Sequence, residues 1–494
     1  MLALLQRLNR PLYAVLGVAA IAGALRFANL SSPRVRVFDE FYYSKSGCVL
    51  VGGTNKQCDI VSGDEKYWVL NKWDVGSWVH PPLGKWMIGL GEKLVGFDPF
   101  GWRVAAATVG TLSCVLIAVT AQLLWGSAIW TFVAGLLLSV ENLSFVLSRT
   151  GLLDIFLVFW VVVGFLFLVL DKRWIERRTP PVPEPTQVEP EPRIPRAPAP
   201  IWRPWRYAAG IAIGAAVSTK WSGVTAVAGA LVLSYAWETT RRKRGDTTGP
   251  RAFRAAFAWE TFGLLLAFVI LPAGVYLATY LPWFNHFGWS IDAWWKNQAE
   301  IYDYHRHLTA TGLDPKTHEY TPTHPYYSRP WTWLPMIRPV SFYSKQASGT
   351  QREILAIGNP VIFWGSLFAL PYAAWMWRKR RDWRAGFVLV TALALYLPWF
   401  LVSRPQFFFY VAPIVPFLVL ADVYLIRDLS DATIVQRDPE TETLVESTRH
   451  PYRPLAWIAV AAAVGLFIWF YPVLTGRVLS YDWWRARVWF VRWI

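Results

Sequence analysis

Residues 152–170 read LLDIFLVFWVVVGFLFLVL, an apolar run with a single charge, Asp154, near its start. About twenty such residues, rising ~1.5 Å each in an α-helix, cross the ~30 Å hydrocarbon core of a bilayer. The flank that follows carries Lys172, Arg173, Arg177 and Arg178. Basic residues collect on the cytoplasmic side of spans, so this helix ends inside and Asp154 stands at its outer end. Comparable blocks recur along the chain, which predicts an all-α polytopic membrane protein.

Outward from that run, spans are predicted at 11–30, 100–124, 128–148, 257–280, 355–376, 386–403, 407–426 and 455–474. The stretch 207–237 is too long for one span and is interrupted by Ser218-Thr219-Lys220-Trp221. It reads as two short helices meeting at a polar break, which is tolerated at membrane depth where the backbone lines a cavity. The total is about eleven spans in a single domain, 1–494, with a cytoplasmic N-terminus and an external C-terminus. Residues 31–99 form a first external loop, in which 83–96 is amphipathic but too short to span, as an interfacial or re-entrant helix would be. Residues 171–206 form a cytoplasmic linker, with ten prolines between Pro180 and Pro204, a composition that excludes helix and sheet interiors. Residues 282–352 make a large external loop holding five of the seven histidines. Residues 428–454 are a cytoplasmic loop. The tail 475–494 is external, and its Trp483, Trp484, Trp489 and Trp493 place it on the membrane surface.

The net charge of +16 falls largely in short clusters at span ends, such as Arg241 to Arg244 and Arg378 to Arg381. That pattern points to anionic lipid headgroups and away from nucleic acid. Of three cysteines, Cys114 sits inside an apolar block, whereas Cys48 and Cys58 share the external loop, where thiols are not kept reduced. Gly52, Gly53, Thr54 and Asn55 supply a turn between them, and a disulfide is expected.

Four features converge on the outer face. In RVFDEFYYSK, residues 36–45, the carboxylates Asp39 and Glu40 are surrounded by aromatic residues. Such neighbours can shield a carboxylate, raise its proton affinity and make it a general base; the alternative is an acidic pair capping an interfacial helix. In HPPLGK, two prolines stiffen a turn with His80 and Lys85 at its ends, able to present a cation to phosphate. Arg103 lies at the outer end of the second span, as a lipid anchor or a phosphate clamp. Arg404, with Tyr410 beyond it, supplies another outer-face cation. Base plus cations suits transfer from a phosphate leaving group, which needs no acid to protonate it. His305, His307, His318 and His324 match no standard zinc spacing and read as interfacial histidines. No metal ligand is assigned, and a divalent-metal requirement is left open.

FDE at 38–40, HPPLGKWMIGLGEKLVG, FGWRVAAATVGTLS, SRTGLLDIFLVFW and STKWSG together resemble the protein O-mannosyltransferases, glycosyltransferase family 39, of the GT-C class. The likeness runs from the first span to the last and is to the bacterial, actinobacterial branch. The 282–352 loop is too short for the β-trefoil (MIR) insert of eukaryotic members. The resemblance implies a polyprenyl-phosphate-mannose donor and, as acceptors, Ser or Thr hydroxyls of secreted or membrane proteins, with inversion at the sugar and the site on the external face of the plasma membrane. It implies Asp39 as general base, Glu40 in acceptor positioning and Arg103 as a residue needed for activity. Asp154 matches the acidic residue of the family's LLD segment. Lys220, in STKWSG, and Tyr410 are carried as donor- or acceptor-positioning residues, and His80, Lys85 and Arg404 as donor-phosphate ligands. The alternatives are a polyprenyl-phosphate-sugar transferase acting on a lipid or glycan, a non-catalytic partner subunit, and a lipid-linked-sugar transporter. A transporter's two-fold internal repetition is not visible in the sequence.

Overall fold

A computed structural model describes residues 10–60, 79–179, 202–243, 249–313, 320–437, 444–446 and 449–493. By length and composition, five of its helices can cross a membrane: Gly101–Trp125, Leu153–Arg178, Gly249–Thr279, Trp383–Leu401 and Arg453–Leu474. Pro11–Phe27 and Ala128–Ser139 are shorter apolar helices. Helices Pro360–Arg380 and Val415–Asp431 occupy two more of the expected positions.

Local chemistry sets where these helices begin and break. Leu153–Arg178 has Asp154 in its first turn and Arg177 and Arg178 in its last, both matched to the helix dipole. The helix expected over 128–148 stops at Ser139. Glu141 caps a separate helix, Asn142–Leu147, by accepting from the backbone N–H of Leu143 (3.1 Å) and Ser144 (2.6 Å). Gly249–Thr279 carries a π-turn at Leu266–Ile270 immediately before Pro272, whose missing N–H and bulky ring disrupt the regular ladder. Pro204–Thr219 ends at the polar break, where Lys220 is extended, and the chain resumes through Trp221–Val224 into Thr225–Lys243. Pro204–Thr219 also meets the π-turn closely: a Cβ on Gly210 would fall 1.9 Å from the Ala267 carbonyl oxygen.

Two expectations are corrected at the end of the bundle where helix Leu153–Arg178 finishes. Residues 171–178 belong to the preceding helix and not to the linker, while residues 180–201 lie outside the described residues. Arg241 and Arg242 do not face headgroups. They are buried and paired with Glu238, inside a network in which Arg203 binds Asp171 and Glu260 (3.2 Å) and Arg206 binds Glu260 (2.7 Å). Buried charges persist only when paired in this way, and the network ties four helices together.

On the opposite face, strands Val340–Ala347 and Thr350–Ala356 form an antiparallel hairpin, joined by Leu479–Ser480 of the tail. Trp493 donates to the Met336 carbonyl (2.7 Å) and Trp484 to Glu353 (2.6 Å), and both rings are buried. The tail is therefore docked on the protein, with Trp483 and Trp489 left exposed, and is not laid wholly on lipid as expected.

Candidate active site

The site is built on helix Glu40–Leu50, inside the expected loop 31–99 and with the acidic pair at its start, and on helix Leu83–Val95. They cross at Gly47 and Gly89, where a Cβ on Gly89 would come within 2.2 Å of the Gly47 carbonyl oxygen. Only hydrogen on both residues allows this approach. Gly53 folds the chain back over the disulfide joining Cys48 to Cys58, just beyond the first helix.

Asp39 and Glu40 have opposite surroundings. Glu40 is fully buried. Its Oε1 accepts from Arg103 Nε (2.7 Å) and the Gly151 N–H (2.8 Å), and its Oε2 from Arg103 Nη2 (2.8 Å) and the Val37 N–H (2.9 Å). Arg103, also fully buried, spends its remaining donors on the carbonyls of Leu30 (3.2 Å), Pro33 (2.9 Å) and Val35 (2.9 Å). This corrects two expectations. Arg103 is no phosphate clamp, because its five donors are occupied by protein, and Glu40 has no free lone pair with which to position an acceptor. The pair is a buckle that fixes residues 30–37.

The buckle leads into Phe38, held at φ +48°, a conformation that costs an aromatic residue about 1–3 kcal/mol. Phe38 stacks on Phe342 (centroids 4.7 Å apart) and meets Phe409 edge-on (5.6 Å). Next in sequence, Asp39 stands at the N-terminus of helix Glu40–Leu50, but its carboxylate makes no capping hydrogen bond. It is partly accessible, hydrogen-bonded to Tyr43, and lies within range of Lys220 and Asp154. Burial pushes its pKa from 3.8 up to about 6, the nearby Lys220 charge opposing the rise and Asp154 adding to it.

Around Asp39 the chain gathers groups from distant segments. Lys220, at the helix break, pairs with Asp154 (2.9 and 3.1 Å) and lies 4.7 Å from the centre of the Tyr410 ring. Arg404, partly accessible, donates to His305 Nδ1 (2.5 Å) and to the Tyr410 hydroxyl (3.4 Å). His305 Nε2 is 3.0 Å from the Val79 carbonyl, so Nε2 carries the proton and Nδ1 is the acceptor. Burial, then the Arg404 charge, hold His305 down near pKa 4, and it is neutral at pH 7. The His80 ring lies 5.5 Å from that of His305 and 6.1 Å from that of Tyr43. Burial first, and then the surrounding cations, keep His80 well below its ordinary value. His80, expected as a donor-phosphate ligand, is thus a neutral imidazole and brings no charge to that role. Lys85 is fully buried and donates to the His80 carbonyl (2.8 Å), fixing the HPP turn instead of facing a headgroup.

Of the sequence candidates, Asp39, His80, Asp154, Lys220, Arg404 and Tyr410 come together, while Glu40, Arg103 and Lys85 support them from behind. Sequence reasoning missed Tyr43 as a partner of Asp39, and Trp221 and His305 as site residues. Trp221 donates to the Tyr276 hydroxyl (2.8 Å), which donates to Gln298 (2.7 Å), linking the helix break to helix Ile291–His307 and so to His305. Only the density of Trp and Tyr around His305 hinted at this. Among the described residues, no group of three His, Cys, Asp or Glu could hold a metal ion.

The profile of the dolichyl-phosphate-mannose-protein mannosyltransferase family matches residues 98–288, and that of the C-terminal four-transmembrane region of protein O-mannosyltransferase matches residues 290–493. A polyprenol-phosphate-mannose–protein mannosyltransferase of Mycolicibacterium smegmatis is 31% identical over 514 residues, covering 96% of this chain and 92% of its own. One from Mycobacterium tuberculosis is 30% identical, covering 87% and 86%. Among solved structures, the Saccharomyces cerevisiae Pmt1-Pmt2 complex bound to the sugar donor aligns with a TM-score of 0.65 at 14% identity, over 97% of this chain and 92% of that one. Apo ArnT of Cupriavidus metallidurans aligns at 0.54 and 17% identity, over 94% and 76%. The fold is shared with these structures, and the chain belongs to the dolichyl-phosphate-mannose-protein mannosyltransferase family.

Proposed function

We propose that the protein transfers mannose from polyprenyl-phosphate-mannose to Ser or Thr hydroxyls of secreted or membrane proteins. The names of its relatives support the donor and the protein acceptor, and the site supports the chemistry. The observation that carries the reading is Asp39: a partly accessible carboxylate with pKa about 6, beside paired and unpaired cations, at one end of the helical bundle. A base poised near operating pH is what a weakly acidic hydroxyl needs.

In this reading Asp39 takes the acceptor proton as the hydroxyl oxygen forms its bond to the anomeric carbon. The bond from that carbon to the phosphate oxygen breaks, leaving polyprenyl phosphate. Arg404, with Lys220 behind it, offsets the charge gathering on that phosphate. Neutral His80 can donate a hydrogen bond without competing for the proton, while His305, its one N–H given to the Val79 carbonyl, holds Arg404 through Nδ1. Tyr43 orients Asp39, and the Asp154–Lys220 pair sets the field it feels. A single displacement inverts the sugar. The site and the C-terminus lie on the external side of the plasma membrane and the N-terminus on the cytoplasmic side, an orientation supported by Arg173, Arg177 and Arg178 at the end of helix Leu153–Arg178, although Arg477, Arg485, Arg487 and Arg492 of the tail run against the same bias. About eleven membrane crossings are part of the same proposal.

The test is transfer from labelled polyprenyl-phosphate-mannose by purified full-length protein in lipid, offered a Ser/Thr-rich peptide or a lipid acceptor. Labelled peptide is the expected product. Label reaching only the lipid would replace this reading with that of a lipid-directed transferase.

A further inference from the structure

A polar cavity of about 130 Å³, whose lining does not include Asp39, is walled by Ala28, Arg149, Arg352, Tyr471, Thr475 and Arg477 among others. Three of its walls are guanidinium groups, and none of its lining residues is acidic. Arg149 is buried and satisfied only by carbonyls, those of Leu25 (3.3 Å), Arg26 (2.8 Å), Ala28 (2.7 Å) and Asn29 (3.1 Å). Carbonyls meet its hydrogen-bonding needs but leave its charge without a counterion among the described residues. Arg352 is partly buried, and among the described residues its side chain makes one hydrogen bond, Nε to the Gly476 carbonyl (2.9 Å). Arg477 is exposed, and its guanidinium lies 5.1 Å from the centre of the Tyr471 ring, with no ion-pair partner among the described residues.

The depth of this cavity is set by two helices. Ala28 follows helix Pro11–Phe27 and Thr475 follows helix Arg453–Leu474, so the cavity opens where both apolar segments end. That is the level of phospholipid headgroups. Two guanidiniums with open donors, backed by a third buried charge, match a tetrahedral oxyanion better than a carboxylate, because several oxygens can each take a forked donor.

We propose that this cavity binds a phosphate group, supplied by an anionic phospholipid headgroup or by free phosphate, at the same end of the bundle as Asp39. Arg352 and Arg477 hold the phosphate oxygens, while Arg149 provides fixed charge from behind. The site shares a segment with the reaction centre: Arg149 grips the carbonyls of residues 25–29, and Arg103 those of 30–35. Occupancy therefore steadies the stretch that leads to Asp39.

Delipidated full-length protein in non-ionic detergent is titrated with phosphatidylglycerol, followed by native mass spectrometry, and separately with inorganic phosphate, followed by thermal unfolding. The Arg352→Gln/Arg477→Gln variant is treated identically. Wild type is expected to hold one ligand about tenfold or more tightly than the variant. If phosphatidylglycerol binds and phosphate displaces it, the headgroup is the source; if only phosphate discriminates between the proteins, the free ion is. Equal affinity of wild type and variant for both probes overturns the proposal, as does an acidic peptide that binds here when neither probe does. Should the double variant fail to fold, Arg477→Gln decides alone, since its exposed side chain makes no hydrogen bond in the structure. It must weaken binding in the same direction.

Discussion

Replacing Arg103 with alanine removes four side-chain hydrogen-bonding relationships at once: the forked pair with Glu40 and the carbonyls of Leu30, Pro33 and Val35. It also leaves the Glu40 charge buried with only the N–H groups of Val37 and Gly151 as partners. Breaking a buried pair from one side costs about 3–5 kcal/mol, and the two surviving N–H bonds put this case near the lower end. At about 1.4 kcal/mol per tenfold, the closed state of residues 30–38 loses a factor of about a hundred against its open state. Because Phe38 is strained and held only by its surroundings, the loss passes directly to Asp39. The expected outcome is a large fall in kcat with donor KM changed little, and faster hydrogen exchange over residues 28–40. Arg103→Lys should recover less than half of the loss, since one ammonium cannot reach both carboxylate oxygens and three carbonyls. Kinetics with purified variants, beside exchange mass spectrometry of that segment, give the answer. A raised donor KM with unchanged kcat and unchanged exchange would refute the buckle and return Arg103 to the phosphate.

Three further perturbations separate the remaining roles. Tyr43→Phe removes a hydrogen bond that lowers the Asp39 pKa, so the acidic limb of the kcat–pH profile should move upward, and an unmoved limb would take Tyr43 out of the site. Gly89→Ala, which must push helix Leu83–Val95 off Gly47, should lower both thermal stability and turnover, by about 1–3 kcal/mol in stability for an overpacked contact. Arg404→Ala should cut turnover about a hundredfold or more through lost stabilisation of the leaving phosphate, with hydrogen exchange of residues 28–40 unchanged; wild-type turnover would free the phosphate role for Lys220 alone.

The helical bundle was legible because bilayer thickness writes itself into the length of apolar runs, as residues 152–170 illustrate. Breaks were legible where polar residues interrupt a run, as at Lys220, and hidden where one capping carboxylate decides, as at Glu141. Asp39 and Glu40 could be found but not told apart. Adjacent residues on a helix start face different directions, and which one meets a guanidinium depends on Arg103, sixty-three positions away. A similar distance hid the buckle: sequence marks Arg103 as an unusual charge but cannot count the carbonyls that surround it. His305 was missed because its site neighbours, Val79, His80, Trp221 and Arg404, are each remote in the chain and meet it only through tertiary packing.

The central claim is that Asp39 is the base, and the direct test is the pH dependence of kcat/KM for mannosyl transfer by wild type and Asp39→Asn. Wild-type kcat/KM, which reports the free enzyme, should fall about tenfold per pH unit below a pKa near 6, the value to which burial raises this carboxyl. Asp39→Asn should lose about a hundredfold or more in turnover and the limb with it. The linkage sign adds a control independent of activity. A carboxyl whose folded pKa is raised from 3.8 to about 6 makes wild type lose stability as pH climbs through that interval. Asp39→Asn should therefore unfold at a higher temperature than wild type at pH 8, with the gap closing below pH 4. An inactive but more stable variant, together with a wild-type limb near pH 6, is the predicted result. An Asp39→Asn protein that retains most of its turnover, with the same pH profile as wild type, would contradict the account.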